Sequence, residues 1–291
     1  MVIDCHFHLE KRLVSMETLL RKMDAAGIDR VALMAPLVAP FREPPPFLIS
    51  ALQFLLFYRP LRWAGQAAVS NFTKNGDIKI LGRPCPIYAE LDNVPVFRAV
   101  DMYPDRFLGW VFVNPAGRQD PAAEYARWRE HPGCVGVKAH PFWHRYPPES
   151  LVPVAQLAAA DGRPVLIHAG FGPHGDFDAL LQKVPGLKLI LAHAGFPLYA
   201  DTWRAIRSRS NVFVDLSQTS YVGERILAKA VEALGPDRCI FGTDGPFGFH
   251  GDDHTFDMGL IKARIEQAFP DSRIRKMLLG ENFMQVANIH I

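Results

Sequence analysis

Short runs of consecutive apolar residues alternate along the chain with longer segments whose apolar positions recur every three or four residues. The short runs predict eight strands, at 1–8, 30–36, 107–114, 134–140, 164–169, 188–193, 211–216 and 239–244. The periodic segments predict helices at 16–26, 122–130, 151–160, 177–183, 198–208 and 224–234, and two short terminal helices at 271–277 and 280–287. Runs such as Val165-Leu166-Ile167 and Leu189-Ile190-Leu191 are apolar at every position, the pattern of strands buried on both faces of a parallel sheet. Eight strand–helix units in 291 residues predict an α/β protein, a (β/α)8 TIM barrel in one domain.

Residues 37–86 interrupt the repeat after the second strand. They carry Pro40, Pro44, Pro45 and Pro46, then an apolar aromatic stretch, then Asn75-Gly76-Asp77. An insertion on this side of a barrel lies over the active-site mouth, so it is expected to form a lid or an oligomer contact, with a surface decoration as the alternative. The apolar content of 47–63 points to a homodimer contact, an expectation that a monomeric mass in solution would remove.

Composition narrows the function. With 49% hydrophobic residues the chain can bury a sizeable core, and a net charge of +2 gives no basic surface for nucleic acid. The most apolar stretch, 47–58, includes Ser50 and Gln53 and is too short to span a bilayer, so no membrane partner is expected. Cys5, Cys85, Cys134 and Cys239 are widely spaced and read as reduced thiols. No basic, apolar leader follows Met1, and a cytoplasmic protein acting on a small-molecule substrate is expected.

The strand ends carry the chemistry. In Asp4-Cys5-His6-Phe7-His8 the period of two puts Asp4, His6 and His8 on one face, from which two imidazoles can converge on a metal. Other predicted strands run into Lys138 (with His140 beyond), His168, His193 and Asp244. The spacings are 30, 25 and 51 residues, the last worth two repeats, so each polar group falls at the same place in its unit, the C-terminal rim. Nine of the 11 histidines lie at these ends or in the loops after them; only His131 and His290 do not. Single buried histidines are usually hydrogen-bonded core residues. Several on one closed sheet, with an aspartate, form the ligand set of a catalytic zinc or similar divalent ion.

The motifs Asp4-Cys5-His6-Phe7-His8, Gly136-Val137-Lys138-Ala139-His140-Pro141, Leu166-Ile167-His168-Ala169-Gly170, Ala192-His193-Ala194-Gly195 and Phe241-Gly242-Thr243-Asp244 resemble the amidohydrolase superfamily. More narrowly they resemble its amidohydrolase 2 branch of metal-dependent TIM-barrel hydrolases, which includes aminocarboxymuconate-semialdehyde decarboxylase. The likeness covers nearly the whole chain in order and extends to Leu278-Leu279-Gly280-Glu281-Asn282. It implies His6, His8, His168 and Asp244 as metal ligands, with Asp244 also accepting a proton from the metal-activated water. His193 is then either a ligand of a second metal or the acid/base beside the water.

Lys138 has two readings. Carboxylated, it would bridge two ions; unmodified, it would sit near the substrate beside a single ion, the preferred reading, or pair with Asp4. His140 shares its face. In the rim loops, Arg145 is a candidate carboxylate clamp and Trp143 and Tyr146 candidate pocket walls, though surface positions are the default for such residues. The loops 171–174 and 247–254 are further candidates. The expected activity is metal-dependent hydrolysis of an ester, lactone or amide. Its rivals are non-oxidative decarboxylation or hydration of a small aromatic-derived or unsaturated acid, a metal-free lactonase, and a non-catalytic metal-containing binding protein.

Overall fold

A computed structural model describes residues 1–41, 44–248 and 256–290. Eight parallel strands run in the order β1 (Ile3–His8), β2 (Arg30–Met34), β5 (Phe107–Val113), β6 (Cys134–Ala139), β7 (Val165–Ile167), β8 (Leu189–Leu191), β9 (Val212–Asp215) and β10 (Cys239–Ile240), while β3 (Ile78–Ile80) and β4 (Arg83–Cys85) pair as a separate hairpin. The sheet closes: the Cys5 N–H donates to the Phe241 carbonyl at 3.1 Å, the Asp244 N–H to His6 at 2.7 Å and the His8 N–H to Gly245 at 2.6 Å. This is the (β/α)8 barrel that the alternation predicts. β1 ends at His8 as expected, while the ladder in the other seven strands stops one to four residues before the end of the expected run.

Local chemistry explains the elements. Every residue of β5, Phe-Leu-Gly-Trp-Val-Phe-Val, is buried, as expected of a strand covered on both faces. Helix α1 (Met16–Ala26) starts where the Ser15 side chain accepts the Thr18 N–H and stops at Gly27, whose φ of 62° is a left-handed cap. The insertion supplies α2 (Pro46–Phe57) and α3 (Arg62–Val69), followed by the hairpin. The barrel continues with α4 (Val94–Met102), α5 (Pro121–Trp128), the one-turn α6 (Pro141–His144), α7 (Val152–Ala160), α8 (Asp178–Lys183), α9 (Ala200–Ile206), α10 (Glu224–Leu234) and α11 (Leu260–Ala268). The two predicted terminal helices form one continuous stretch, α12 (Ser272–Lys276) and α13 (Asn282–Ala287), joined by a π-helical turn at Met277–Glu281. That turn passes so close to the chain start that a Cβ on Gly280 would lie 2.3 Å from the Met1 carbonyl oxygen.

The insertion is tied to the rim. The Gln53 side-chain amide donates to the Ser220 carbonyl at 2.9 Å, and Arg59 and Arg62 both pair with Asp201 at the start of α9. Helix α2 is apolar on opposite sides. Ile49 and Leu56 are buried, while Phe47 and Phe54, with Tyr58 and Trp63 beyond, are exposed, and the homodimer expectation rests on that outer surface. No helix among the described residues is long and apolar enough to cross a membrane.

Burial raises the Asp201 carboxyl, but the two guanidiniums together outweigh it and hold the group down at about 2, so their contribution is present above pH ~4 and is lost as pH falls towards about 2. Replacing Asp201 with Asn is expected to cost ~1 kcal/mol and to speed limited proteolysis within 44–69, leaving cleavage elsewhere unchanged. Uniform acceleration along the chain would instead mean that Asp201 supports the barrel as a whole.

Candidate metal centre

The C-terminal rim gathers His6 and His8 from β1, Lys138 from β6, His168 and His193 from the ends of β7 and β8, and Asp244 from beyond β10, all buried. They line one small cavity of about 50 Å3, together with His140 and an aromatic mouth that includes Trp143, Tyr221 and Phe247. Three residues around it hold left-handed backbone: His193 (φ 55°), Gln218 (φ 68°) and Asp244 (φ 60°). Each conformation costs on the order of 1 kcal/mol in a residue with a side chain, so the surrounding fold imposes these orientations.

Hydrogen-bond partners fix the imidazole tautomers. Asp215 is fully buried, yet His6, His193 and Ser217 hold its carboxyl well below the usual range, so it is an anion that only accepts. It takes His6 Nδ1–H at 2.9 Å, the His193 and Ser217 backbone N–H groups at 2.9 and 3.0 Å, and the Ser217 hydroxyl. Because Ser217 donates to Asp215, it accepts from His193 Nδ1 at 2.8 Å; His193 Nε2 therefore accepts from His168 Nδ1 at 3.0 Å. His8 Nδ1 donates to the Ala35 carbonyl at 2.9 Å. The remaining nitrogens are His6 Nε2, which has Lys138 Nζ 3.3 Å away, His8 Nε2 and His168 Nε2, and each presents a lone pair when its ring is neutral.

Two of these lone pairs face a carboxylate. Asp244 Oδ1 lies 3.0 Å from His6 Nε2 and 3.4 Å from His8 Nε2, and the three atoms fall within 4.8 Å of one another. Burial opposes charge on Asp244, but His6 and His193 hold its carboxyl well below the usual range. Burial and Lys138 push His6 down, while Asp244 and Asp215 outweigh them and raise it, which marks the place between these atoms as one for positive charge. Among the described residues His168 Nε2 is buried with no hydrogen-bond partner, a second sign of a missing electrophile. The donor set of imidazole nitrogens and a carboxylate oxygen fits a divalent transition ion or zinc. His168 lines the cavity but lies outside the close trio. A second grouping, His6, His193 and Asp215, is spatially compact, but its Asp215 oxygens are engaged in the hydrogen bonds above.

The remaining expected residues divide. Lys138 Nζ sits 3.3 Å from His6 Nε2, and burial lowers it to about 8. It does not pair with Asp4, which accepts from the Thr243 hydroxyl at 2.6 Å and the Thr243 N–H at 2.9 Å, and which burial pushes up to about 7. His140 stacks on His168 at 4.1 Å and accepts the Trp143 N–H, capping α6; burial holds it well below the usual imidazole range. Burial likewise lowers His193 to about 4. Trp143 lines the cavity mouth. Arg145 corrects the expectation: it takes the left-handed position that ends α6 (φ 60°), is exposed, and lays its guanidinium over Phe72 at 5.6 Å, away from the cavity. Tyr146 is buried, and Phe171 and His174 do not line the cavity. In the loop after β10, Phe247 lines the cavity, and residues 249–255, with His250 and His254, lie outside the described residues.

Asp215, Ser217 and Gln218 are the functional residues that the motifs missed. Gln218 donates to Asp244 Oδ2 at 2.8 Å, so each carboxylate oxygen of Asp244 is oriented separately. The signal for Asp215 was in the spacing. The gap from His193 to Asp244 spans two repeats, and the rim position between them belongs to the end of Val-Phe-Val-Asp in β9. Outer partners of this kind fix the tautomer of a metal-binding histidine and raise its basicity. Asp215→Asn is therefore expected to weaken metal binding by ~10–100-fold in a chelator competition, whereas Arg145→Ala leaves it unchanged. Equal affinities in the wild type and Asp215→Asn would show that His6 needs no such partner.

Known proteins bear on this geometry. No curated protein sequence matches the chain. Among solved structures it is similar to a protein described as a 2-pyrone-4,6-dicarboxylic acid hydrolase from Pseudomonas putida (17% identity, TM-score 0.63, covering 100% of this chain and 98% of that one). It is also similar to 4-oxalomesaconate hydratase from Rhodopseudomonas palustris (17%, 0.61, 99% and 96%). A third is 5-carboxyvanillate decarboxylase from Novosphingobium aromaticivorans, complexed with manganese (17%, 0.57, 93% and 79%). At these identities the likeness establishes the barrel. Residues 3–282 match the amidohydrolase family in its amidohydrolase 2 branch, and the chain belongs to that family.

Proposed function

We propose that this chain is a metal-dependent hydrolase that attacks an ester, lactone or amide carbonyl of a small molecule, using one divalent ion, zinc or manganese, held by His6, His8 and Asp244 with His168 facing it. The observation that carries the reading is the trio of acceptor atoms within 4.8 Å, two of them on rings whose other nitrogen is pinned by Asp215 and Ala35. One ion is proposed because, of the two compact groupings among the described residues, the other has its Asp215 oxygens committed to hydrogen bonds with His6, His193 and Ser217. Such an ion supplies Lewis acidity, bringing the pKa of its water towards ~7 and polarising a carbonyl.

The chain's own groups handle the protons. Asp244 Oδ2, fixed by Gln218 and 3.9 Å from His193 Nε2, is the anionic acceptor for a proton leaving water. His193 is neutral near pH 7 and can take that proton onward, provided the His168 N–H releases its Nε2. Burial already lowers Lys138 to about 8, and a dication on the neighbouring His6 would lower it further, so Lys138 acts as an N–H donor to a substrate oxygen.

Decarboxylation or hydration of a small acid is the second reading, and one feature favours it. The mouth formed by Phe41, Trp143, Tyr221 and Phe247 is aromatic, and a carboxylate held against such walls is destabilised relative to neutral carbon dioxide, which departs leaving its electron pair on the substrate carbon to be protonated. The solved relatives include proteins named for decarboxylation, hydration and hydrolysis. A panel of esters and lactones, run beside aromatic acids monitored for carbon dioxide, separates the two reactions. Turnover of esters or lactones, abolished by chelation and restored by zinc or manganese, supports hydrolysis; carbon dioxide release supports the second reading. Activity that survives chelation would contradict both. His193→Gln is expected to lower kcat by ~10²–10⁴-fold with metal content unchanged, and an unchanged kcat would remove His193 from the proton path.

A further inference from the structure

A second cavity adjoins the metal cavity. It measures about 380 Å3 and shares four lining residues with it: Phe41, Trp143, Gln218 and Tyr221. Its outer walls come from the insertion, with Leu48, Ile49, Leu52 and Leu55 of α2, Val69 of α3, and the β3 residues Ile78 and Ile80. The metal cavity alone, at about 50 Å3, has room for only a few water-sized groups, so a substrate larger than that must extend elsewhere. The second cavity is within the usual size range for small-molecule sites, with about seven times the room of the metal cavity.

The walls state what would fit. Among the described residues lining this chamber, Lys79 is the one charged side chain, and no arginine lines either cavity. A polyanionic substrate needs several fixed cations, and among the described residues this chamber offers it one, Lys79. Apolar surface gains from leaving water, and this space is lined mainly by aliphatic and aromatic side chains. The same chain segment therefore roofs the metal cavity, through Leu37, Val38 and Phe41, and builds the chamber beside it.

We infer that the insertion forms the substrate's acyl- or aryl-chain pocket: the substrate carries an extended apolar body that lies along α2, with its polar, reactive end reaching the metal through the opening between Phe41, Trp143 and Tyr221. This rests on the metal reading above and adds to it the class of substrate, an amphiphilic one with a single polar end.

The test uses straight-chain alkanoates from acetate to decanoate as probes, titrated calorimetrically into the full-length, metal-loaded protein and into protein stripped by chelation. The slope of affinity with chain length reports the chamber; the offset between loaded and stripped protein reports the metal contact. The expected result is a rise of about fourfold per methylene, matching ~0.8 kcal/mol for each buried CH2, displaced as a whole to weaker binding when the metal is removed. Leu52→Trp and Leu55→Trp, which fill the chamber from one wall, are expected to cut decanoate affinity tenfold or more while leaving acetate affinity and metal content as in the wild type. A flat series in protein with normal metal content overturns the inference and leaves the metal reading standing. A slope with no offset overturns the claim that the chamber serves the metal site. Failure to take up metal at all overturns the reading on which both depend.

Discussion

One unfavourable arrangement governs the site: a buried carboxylate oxygen with imidazole lone pairs directed at it. Asp244 Oδ1 lies 3.0 and 3.4 Å from two Nε2 atoms whose rings already donate their Nδ1 protons elsewhere. With neutral rings, no hydrogen stands between these acceptors, and removal from water leaves the repulsion unscreened. A cation resolves it, either as a proton on His6 or as a metal ion. Burial disfavours the proton on His8, whose pKa falls, so the whole set is satisfied best by a dication.

The barrel is what makes this arrangement persist. Asp215 at the end of β9 sets the His6 ring and, through Ser217, the tautomers of His193 and His168. Left-handed backbone at His193, Gln218 and Asp244 aims these side chains inward against local preference. Closure of β1 on the segment after β10, through the Asp244 N–H bond to the His6 carbonyl, couples two of the proposed ligands through the main chain. Strain of this kind at a rim is tolerated because eight buried strands over-determine it.

Much of this was legible in the chain. Continuous apolar runs identified all eight strands, and the ranges of α1 and α10 follow directly from their periodicity and glycine caps. The period of two placed His6 and His8 on one face, and repeat spacing placed Lys138, His168, His193 and Asp244 at the same rim, where all six line one cavity. What periodicity cannot show is direction within a loop. Arg145 follows Lys138 by seven residues, yet a helix cap turns it to solvent. It also cannot show which polar residue orients another, so Asp215, the residue that fixes the tautomers, was hidden inside a strand that looked merely apolar. The insertion was legible as an interruption, but its inner surface exists only once α2, α3 and the hairpin fold over the rim.

Metal content per chain is the most direct measurement of the central claim. Protein purified without chelator and analysed for its elements is expected to carry about one divalent ion per chain, absent from a His6→Ala/His8→Ala variant that keeps the wild-type circular dichroism spectrum. Wild-type protein that holds no ion, and takes up neither zinc nor manganese when they are added, would contradict the account.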